Sequence, residues 1–396
     1  MTMETMATTE PAEIKPAGGP AIFHLADVRL GGAFPFLGNA GSAHRLQVRD
    51  TFVRAVDQGL ELAPALVLIT GNLFGTPFPP RDLAEFACAQ LERFSKRGIP
   101  VLIAAGPLDA CYEKVYAQGA FSDLERVVVF PETPKAVELR DLDLTVVGVS
   151  CGAAPVQVEA LAAVAAHKHR RCLVGALHMQ IPESEEGLRA LHRQIAASGA
   201  DYLALGGSPV RRNLSAEAVT AWCPGAPEMV AAEEGEGAPL FVRFGDGITK
   251  EPAHPAQPGP LVQPVPVAQR RFIRHVFDPA AFNSTEELAD AIRALADPNH
   301  AAVIQMCGAS RINQFIDVDD LRNRLSCGFL SLEIVDDSLP SPADLEAAAY
   351  PELSVAGRFV GVARAEMSRA SDPEAIRRAG AALRLGLWLL EGRRPS

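Results

Sequence analysis

Short apolar runs that stop at glycine or a polar loop, with amphipathic stretches between them, set the fold of this chain. Ala21-Ile22-Phe23-His24-Leu25-Ala26 ends at Asp27, ahead of Gly31-Gly32. Ala65–Thr70 closes on Gly71-Asn72, and Pro100–Ala105 closes on Gly106-Pro107. Runs this short and this apolar read as buried strands. His44–Leu62 lies between the first two, with Leu46, Phe52, Val53, Val56 and Leu60 near a 3.6-residue period, and reads as a helix. Arg81–Arg97 reads as a second helix. Strand, helix, strand, helix, strand at this spacing predicts right-handed βαβ units and a largely parallel sheet.

Further strands are expected at Val127–Phe130, Leu144–Val149, Cys172–Leu177 and Tyr202–Leu205, with a helix at Glu185–Ala197 and a closing edge strand at Leu240–Phe244. Glu251–Pro266 carries six prolines, at 252, 255, 258, 260, 264 and 266, and reads as an extended linker or edge crossing. Beyond it, Arg271–Phe277 alternates like a strand. Ser284-Thr285-Glu286-Glu287 is a capping box that opens a helix to Leu295. Ala302–Met306 and Phe329–Ile334 complete a small α+β unit, and the chain from Pro342 onward reads as helical. The expected division is a disordered leader (1–20), a main α/β domain (21–250), the linker (251–266), a small α+β capping domain (267–340) and a helical C-terminal region (341–396). No internal repeat stands out.

Composition narrows the function classes. Hydrophobic residues are 48% and charged residues 21% of 396, the balance of a globular protein rather than a disordered chain. No stretch reaches the ~20 apolar residues that span a bilayer, and no apolar h-region opens the chain, so the expected location is cytoplasmic. The net charge of -11 works against non-specific binding to phosphate backbones. The seven cysteines are widely spaced with no Cys-x-x-Cys, which argues against a zinc ribbon or a disulfide framework.

Ligands of an open parallel sheet gather beyond the carboxyl ends of its strands. The loops there read Asp27-Val28-Arg29, Gly71-Asn72-Leu73-Phe74, Gly106-Pro107-Leu108-Asp109 and Gly206-Gly207-Ser208-Pro209, with His178 on Leu177-His178-Met179. This succession resembles the calcineurin-like metallophosphoesterases, whose pattern is Asp-x-His, Gly-Asp, Gly-Asn-His-Asp, a lone His and Gly-His-x-His. Phe23–Gly31, Leu68–Phe74, Gly98-Ile99-Pro100-Val101 and Trp222–Pro227 with Glu233-Glu234-Gly235 are similar to the branch of DNA double-strand-break repair exonucleases, the SbcD-type nuclease subunits. The resemblance covers roughly Ala21 to Asp337. It implies a four-layer sandwich of two β-sheets flanked by helices, followed by a small α+β capping domain and C-terminal helices.

In that family two metal ions activate a water and hold the phosphate. On this chain the first metal position maps to Asp27, Arg29, Asn72 and Pro209, and the second to Asn72, Pro107, His178 and Gly207. Only Asp27 and His178 are good ligands. Arg29 is a fixed cation, Asn72 puts a neutral amide where the bridging carboxylate belongs, and Leu108 stands in place of the general-acid His. Asp109 is left without the His it would orient. The expectation is therefore no metal and no catalysis: a nuclease-like scaffold or regulatory subunit of a DNA repair or DNA-sensing complex. The alternative is an active metal-dependent phosphoesterase or exonuclease with an atypical site, for which manganese would be the cofactor. A replacement-cation reading puts Arg29 within salt-bridge reach of Asp27 or Asp109.

Plainer readings stand beside these. Asp27 can cap a turn, His178 can be a satisfied interior histidine, and Arg29 a solvated loop residue. Arg211-Arg212 lies beside the cleft as a phosphate or DNA contact. Val355–Met367 and Pro373–Leu390 read as amphipathic helices; in the second, Ile376, Leu383, Leu387 and Leu390 form a stripe that Trp388 widens. The resemblance implies that they dock on the coiled coil of an SMC-like ATPase and that a homodimer surface is retained. Packing on the protein's own body is the plainer alternative.

Overall fold

The first sheet is built around four parallel strands that are apolar on both faces and sit between two layers. The computed structural model describes residues 20–109, 116, 121–152, 160–167, 172–245, 259–311, 315–340, 350–351, 353–370 and 372–390. In chain order the first half runs β1 (Ala21–Leu25), α1 (Gly41–Leu62), β2 (Leu66–Thr70), α2 (Arg81–Ser95), β3 (Val101–Ala104), β4 (Val127–Val129), β5 (Lys135–Leu139) and β6 (Leu144–Val149). It continues with α3 (Ala160–Ala165), β7 (Cys172–His178), α4 (Glu185–Ser198), β8 (Tyr202–Gly206), β9 (Arg212–Asn213), β10 (Thr220–Cys223), β11 (Leu240–Arg243) and β12 (Leu261–Pro264). The first sheet has the order β12-β11-β1-β2-β3-β4 and the second β5-β6-β7-β8-β10-β9. β1 to β4 are parallel, as are β6, β7, β8 and β10.

The two sheets pack face to face. Ile22, Leu66, Leu68 and Leu102 of the first meet Val146, Val174, Tyr202 and Ala204 of the second. α1 and α2 cover the outer face of the first sheet through Val48, Phe52, Val56, Leu91 and Phe94. α3 and α4 cover the second through Leu161, Val164, Leu191 and Ile195. α4 shows why a helix forms there: Ser184 Oγ accepts from Gly187 N at its start, and Gly199 ends it at φ 60°. The result is a layered α/β sandwich.

Two expectations need correcting. Leu240–Phe244 is not an edge, because β12 pairs antiparallel outside β11. β12 itself lies inside the proline-rich stretch read as a linker. Pro264 has no amide to donate, and an outermost strand is where a sheet tolerates that loss. Residues 251–258 and the proposed leader, save Pro20, lie outside the described residues.

The small module runs β13 (Arg271–Phe277), α5 (Thr285–Arg293), β14 (His300–Met306), β15 (Ala309–Ser310), α6 (Val318–Leu325), β16 (Ser331–Asp336) and β17 (Leu339–Pro340). β13, β14 and β16 form a parallel sheet, with Leu288, Ile292, Leu321 and Leu325 of α5 and α6 on one face. Phe272 and Ala301 join the core around α1, which ties the module to the body. α7 (Val355–Arg369) and α8 (Pro373–Leu390) then pair through Val360, Ala363, Leu383 and Leu387. Arg384 is 4% exposed and fastens α8 to the small module, donating to Ser310 Oγ, to Ser338 and to Asp336 Oδ2 at 3.0 Å. The stretch 341–349, expected to be helical, lies outside the described residues. Among the described residues no helix is long and apolar enough to cross a membrane.

Candidate functional site

The loops that follow β1, β2, β3 and β8 converge with the end of β7 at one edge of the sandwich. The first two pair through their backbones, Asp27 N to Gly71 O at 3.0 Å and Arg29 N to Asn72 O at 2.8 Å. To do so, Asp27, Arg29 and Asn72 all take left-handed backbone angles, at φ 49°, 54° and 47°. Asp and Asn tolerate that region; for Arg it is a cost. Gly71 lets the His178 ring lie directly on the backbone, since a Cβ there would stand 2.0 Å from the imidazole.

Asn72 is the centre of the cluster. Its Oδ1 accepts from Leu108 N at 3.0 Å, which fixes the amide's orientation. Its Nδ2 then donates to Asp27 Oδ1 at 2.7 Å and faces His178 Nε2 at 2.9 Å. Asp27 Oδ2 accepts from Gly207 N at 2.9 Å. Asp27, Asn72 and His178 are 0%, 4% and 5% exposed. Burial pushes the Asp27 pKa up; His178 when charged, Arg29 and the Gly207 amide push it down and outweigh burial.

His178 is pulled two ways. Burial disfavours a charged ring, while Asp27, 3.5 Å from Nε2, and Cys151 on the other side draw its pKa up, to about 9. The Asn72 amide opposes that charge, because an N–H aimed at Nε2 is satisfied only by a bare nitrogen. With Oδ1 committed to Leu108, the hydrogen bonds assign a neutral ring protonated at Nδ1, where Cys151 Sγ lies at 4.0 Å. The Cys151 thiol donates to His178 O at 3.2 Å.

Asp109 takes a different role from the one expected. Its carboxylate accepts from the backbone amides of Leu73, Phe74 and Gly106 at 2.9–3.1 Å and so ties the second loop to the third. Burial raises its pKa to about 6 against those three donors. Of the two carboxylates, Arg29 comes within salt-bridge reach of Asp27. Among the described residues its ion-pair partner is Asp27, Nε to Oδ1 at 3.8 Å, and that buried Nε makes no hydrogen bond. Its side chain is 29% exposed, so it is neither a buried replacement cation nor a freely solvated one.

The other mapped positions complete the picture. Pro107 opens a short 3-10 turn through Leu108 to Asp109. Pro209 supplies only its carbonyl, to Ala226 N. Arg212 is engaged by Ser208 Oγ at 3.1 Å and Glu233 Oε1 at 3.2 Å, and half-buried Arg211 pairs its amide with Glu236 O. Neither arginine joins the Asn72 cluster. The stripe assigned to partner binding splits. Leu383 and Leu387 are buried against α7, Ile376 is half-buried, and Trp388 packs on Phe315 at 5.0 Å. Leu390, at 49% exposure, is the member of that set left on the surface. Sequence patterning cannot tell a face spent on a neighbouring helix from one left for a partner.

The donor set does not fit the metal pair that the sequence resemblance implies. A metal needs free lone pairs converging on it. Here both Asp27 oxygens are taken, and an amide donor stands between Asp27 and His178. Among the described residues no group of three or more His, Cys, Asp or Glu side chains could hold a metal ion.

No family model matches the chain, and no curated protein does. Among solved structures it is similar to the crystal structure of TT1561 of Thermus thermophilus. The identity is 14%, the match covers 52% of this chain and 90% of that one, and the TM-score is 0.35.

Beneath the cleft lies a polar chain that sequence reasoning missed. His24 on β1 pairs through Nδ1 with Tyr202 Oη on β8 at 2.8 Å and through Nε2 with Thr70 Oγ1 on β2 at 2.7 Å. All three are fully buried, and burial drives the His24 pKa down to about 3. The chain links the two sheets within their shared apolar core. Its one sequence signal was a histidine inside an apolar strand.

Proposed function

We propose that the two-sheet body is a metallophosphoesterase-like domain without its chemistry, and that the protein is a scaffold or regulatory subunit of a DNA repair or DNA-sensing complex. The order of the loop motifs supports the family reading. The observation that carries the silent reading is the Asn72 amide, fixed by Leu108 N and donating to Asp27 where the resemblance calls for a bridging carboxylate. An amide N–H there repels a cation and satisfies the oxygen a cation would use. The general acid is also replaced, by Leu108, whose own contribution is a backbone donor. The bridging carboxylate and the general acid that the resemblance calls for are both missing from these residues.

Partner binding is assigned to the outer surface of the C-terminal hairpin. Leu353, Val355 and Val362 at the start and along the outside of α7, and Leu389 and Leu390 at the end of α8, are 47–86% exposed. The partner in this reading is the coiled coil of an SMC-like ATPase, on the sequence resemblance.

Two experiments test it. Purified protein with manganese should release nothing above background from a nitrophenyl phosphodiester or from linear duplex DNA; metal-dependent turnover lost in Asp27→Ala would establish the active alternative. Affinity capture from the native host should recover a coiled-coil ATPase with the wild type and lose it with Val355→Asp/Val362→Asp. Capture that ignores that pair would remove the hairpin from the account.

A further inference from the structure

The small module meets the body at a polar cluster that takes no part in the cleft. It is built from α1, the loop after β10 and the segment that leads into β13. Glu228, 2% exposed, is its centre. Its Oε2 accepts from Thr51 Oγ1 at 2.7 Å, Gln269 N at 3.1 Å and Gln47 Nε2 at 3.3 Å. Its Oε1 accepts from Arg270 N at 2.9 Å and Met229 N at 3.1 Å. Five donors from three segments converge on one carboxylate, and two of them are the backbone at the root of the module.

His44 on α1 closes the cluster. It has no exposed surface. Its Nε2 donates to Met229 O, and its Nδ1 accepts from Arg270 Nη1 at 2.9 Å. A guanidinium only donates, so this Nδ1 is bare and the ring is neutral. The Phe34 ring stands edge-on to it at 4.8 Å. The charged groups that bear on His44 are Glu228 from the loop and Arg270 from the module's root, with Arg54 of α1 standing 4.0 Å from Glu228 Oε2.

Arg270 has a second place to go. Its buried Nε makes no hydrogen bond. Arg270 lines an open cleft together with Glu233 and Glu236, which pair with Arg212 and Arg271. The guanidinium is thus held by a histidine that accepts its hydrogen bond only when neutral, and it borders an open cleft.

We propose that His44 and Arg270 form an acid-released latch: a proton taken up at His44 Nδ1 turns that acceptor into a donor, expels the guanidinium toward the cleft it borders, and loosens the small module from the two-sheet body. The device does not depend on the cleft's function. Burial and the Arg270 charge hold the latched His44 pKa below its ordinary value, against the Met229 carbonyl and Glu228, which raise it. A released His44 titrates near its ordinary value. The latch is therefore complete above about pH 6.5 and is lost as pH falls through the latched value.

Hydrogen exchange of the full chain, read by fragmentation mass spectrometry and corrected for intrinsic rates, tests this at pH 7.5 and 5.5. In the wild type the amides of Gln269 and Arg270 should lose protection at the lower pH, by up to about tenfold, over and above any loss at β7 and β8. His44→Gln removes the titration, and Arg270→Met removes the charge that His44⁺ would expel. Each should show the same protection of residue 269 at both pH values, and Arg270→Met carries the test if His44→Gln does not fold. Equal protection at both pH values in the wild type overturns the latch. So does a drop that persists in either folded variant, or one no larger than the loss at β7 and β8.

Discussion

Replacing Asn72 by Asp probes the cleft with the smallest change in shape. The backbone at φ 47° suits Asp about as well as Asn, so the effect isolates the donor. In the wild type Nδ2 lies 2.7 Å from Asp27 Oδ1 and 2.9 Å from His178 Nε2, at sites 0% and 5% exposed. The substitution removes a hydrogen bond to a carboxylate, worth about 1.5–3 kcal/mol. It also sets an oxygen against Asp27 Oδ1 and against the bare Nε2. His178 can recover part of this by taking a proton at Nε2. The remainder is a buried carboxylate pair, and the net cost should be roughly 3–5 kcal/mol at pH 7.5. It should shrink toward pH 5.5 as the pair takes up a proton. Asn72→Ala, which adds no charge, should cost about 1–3 kcal/mol. Urea unfolding followed by tryptophan fluorescence at both pH values reads all three proteins. If Asn72→Asp is as stable as the wild type at pH 7.5 without added metal, the amide is not the donor described and the reasoning fails.

Arg29→Ala should cost no more than about 1 kcal/mol, because the pair with Asp27 is long and partly solvated. Arg29→Gly should recover about that much by relieving φ 54°; a loss of 3 kcal/mol or more in either would restore the buried-cation reading. Tyr202→Phe leaves His24 Nδ1 without its partner and should lower stability by about 1–3 kcal/mol in the same urea assay; an unchanged midpoint would mean that the inter-sheet chain contributes nothing. Stability should also fall with acid through His24. Its folded pKa is depressed to about 3 by burial, so its contribution is full above about pH 6.5 and is lost toward pH 3, with a slope approaching ~1.4 kcal/mol per pH unit. The double variant His24→Phe/Tyr202→Phe should flatten that slope by one proton, and an identical slope would place the titration elsewhere.

The parts of the fold that could be read from the sequence are those buried on both faces. β1, β2, β3, β6, β7 and β8 announce themselves as unbroken apolar runs. β5 does not, because Lys135 and Glu138 lie on an outer strand. β12 is masked by prolines that its edge position tolerates. α6 buries only Leu321 and Leu325 in eight residues and has no visible period. At the site, loop positions beyond strand ends were enough to bring Asp27, Asn72, Asp109 and His178 together. What they do there was not legible, because it is decided by backbone amides. Leu108 N orients Asn72, Gly207 N takes Asp27, and three amides occupy Asp109. A residue's identity says nothing of where its own N–H points. The His24–Tyr202 pair was hidden for another reason: its members are 178 residues apart and meet only across the two sheets.

Manganese binding to the metal-stripped protein tests the central claim most directly, by calorimetric titration together with elemental analysis of the protein as purified. A cleft closed by the Asn72 amide predicts less than one equivalent of manganese, zinc or iron in the purified protein and no saturable manganese binding in the titration. Two tightly bound ions, lost together in Asp27→Ala, would contradict it.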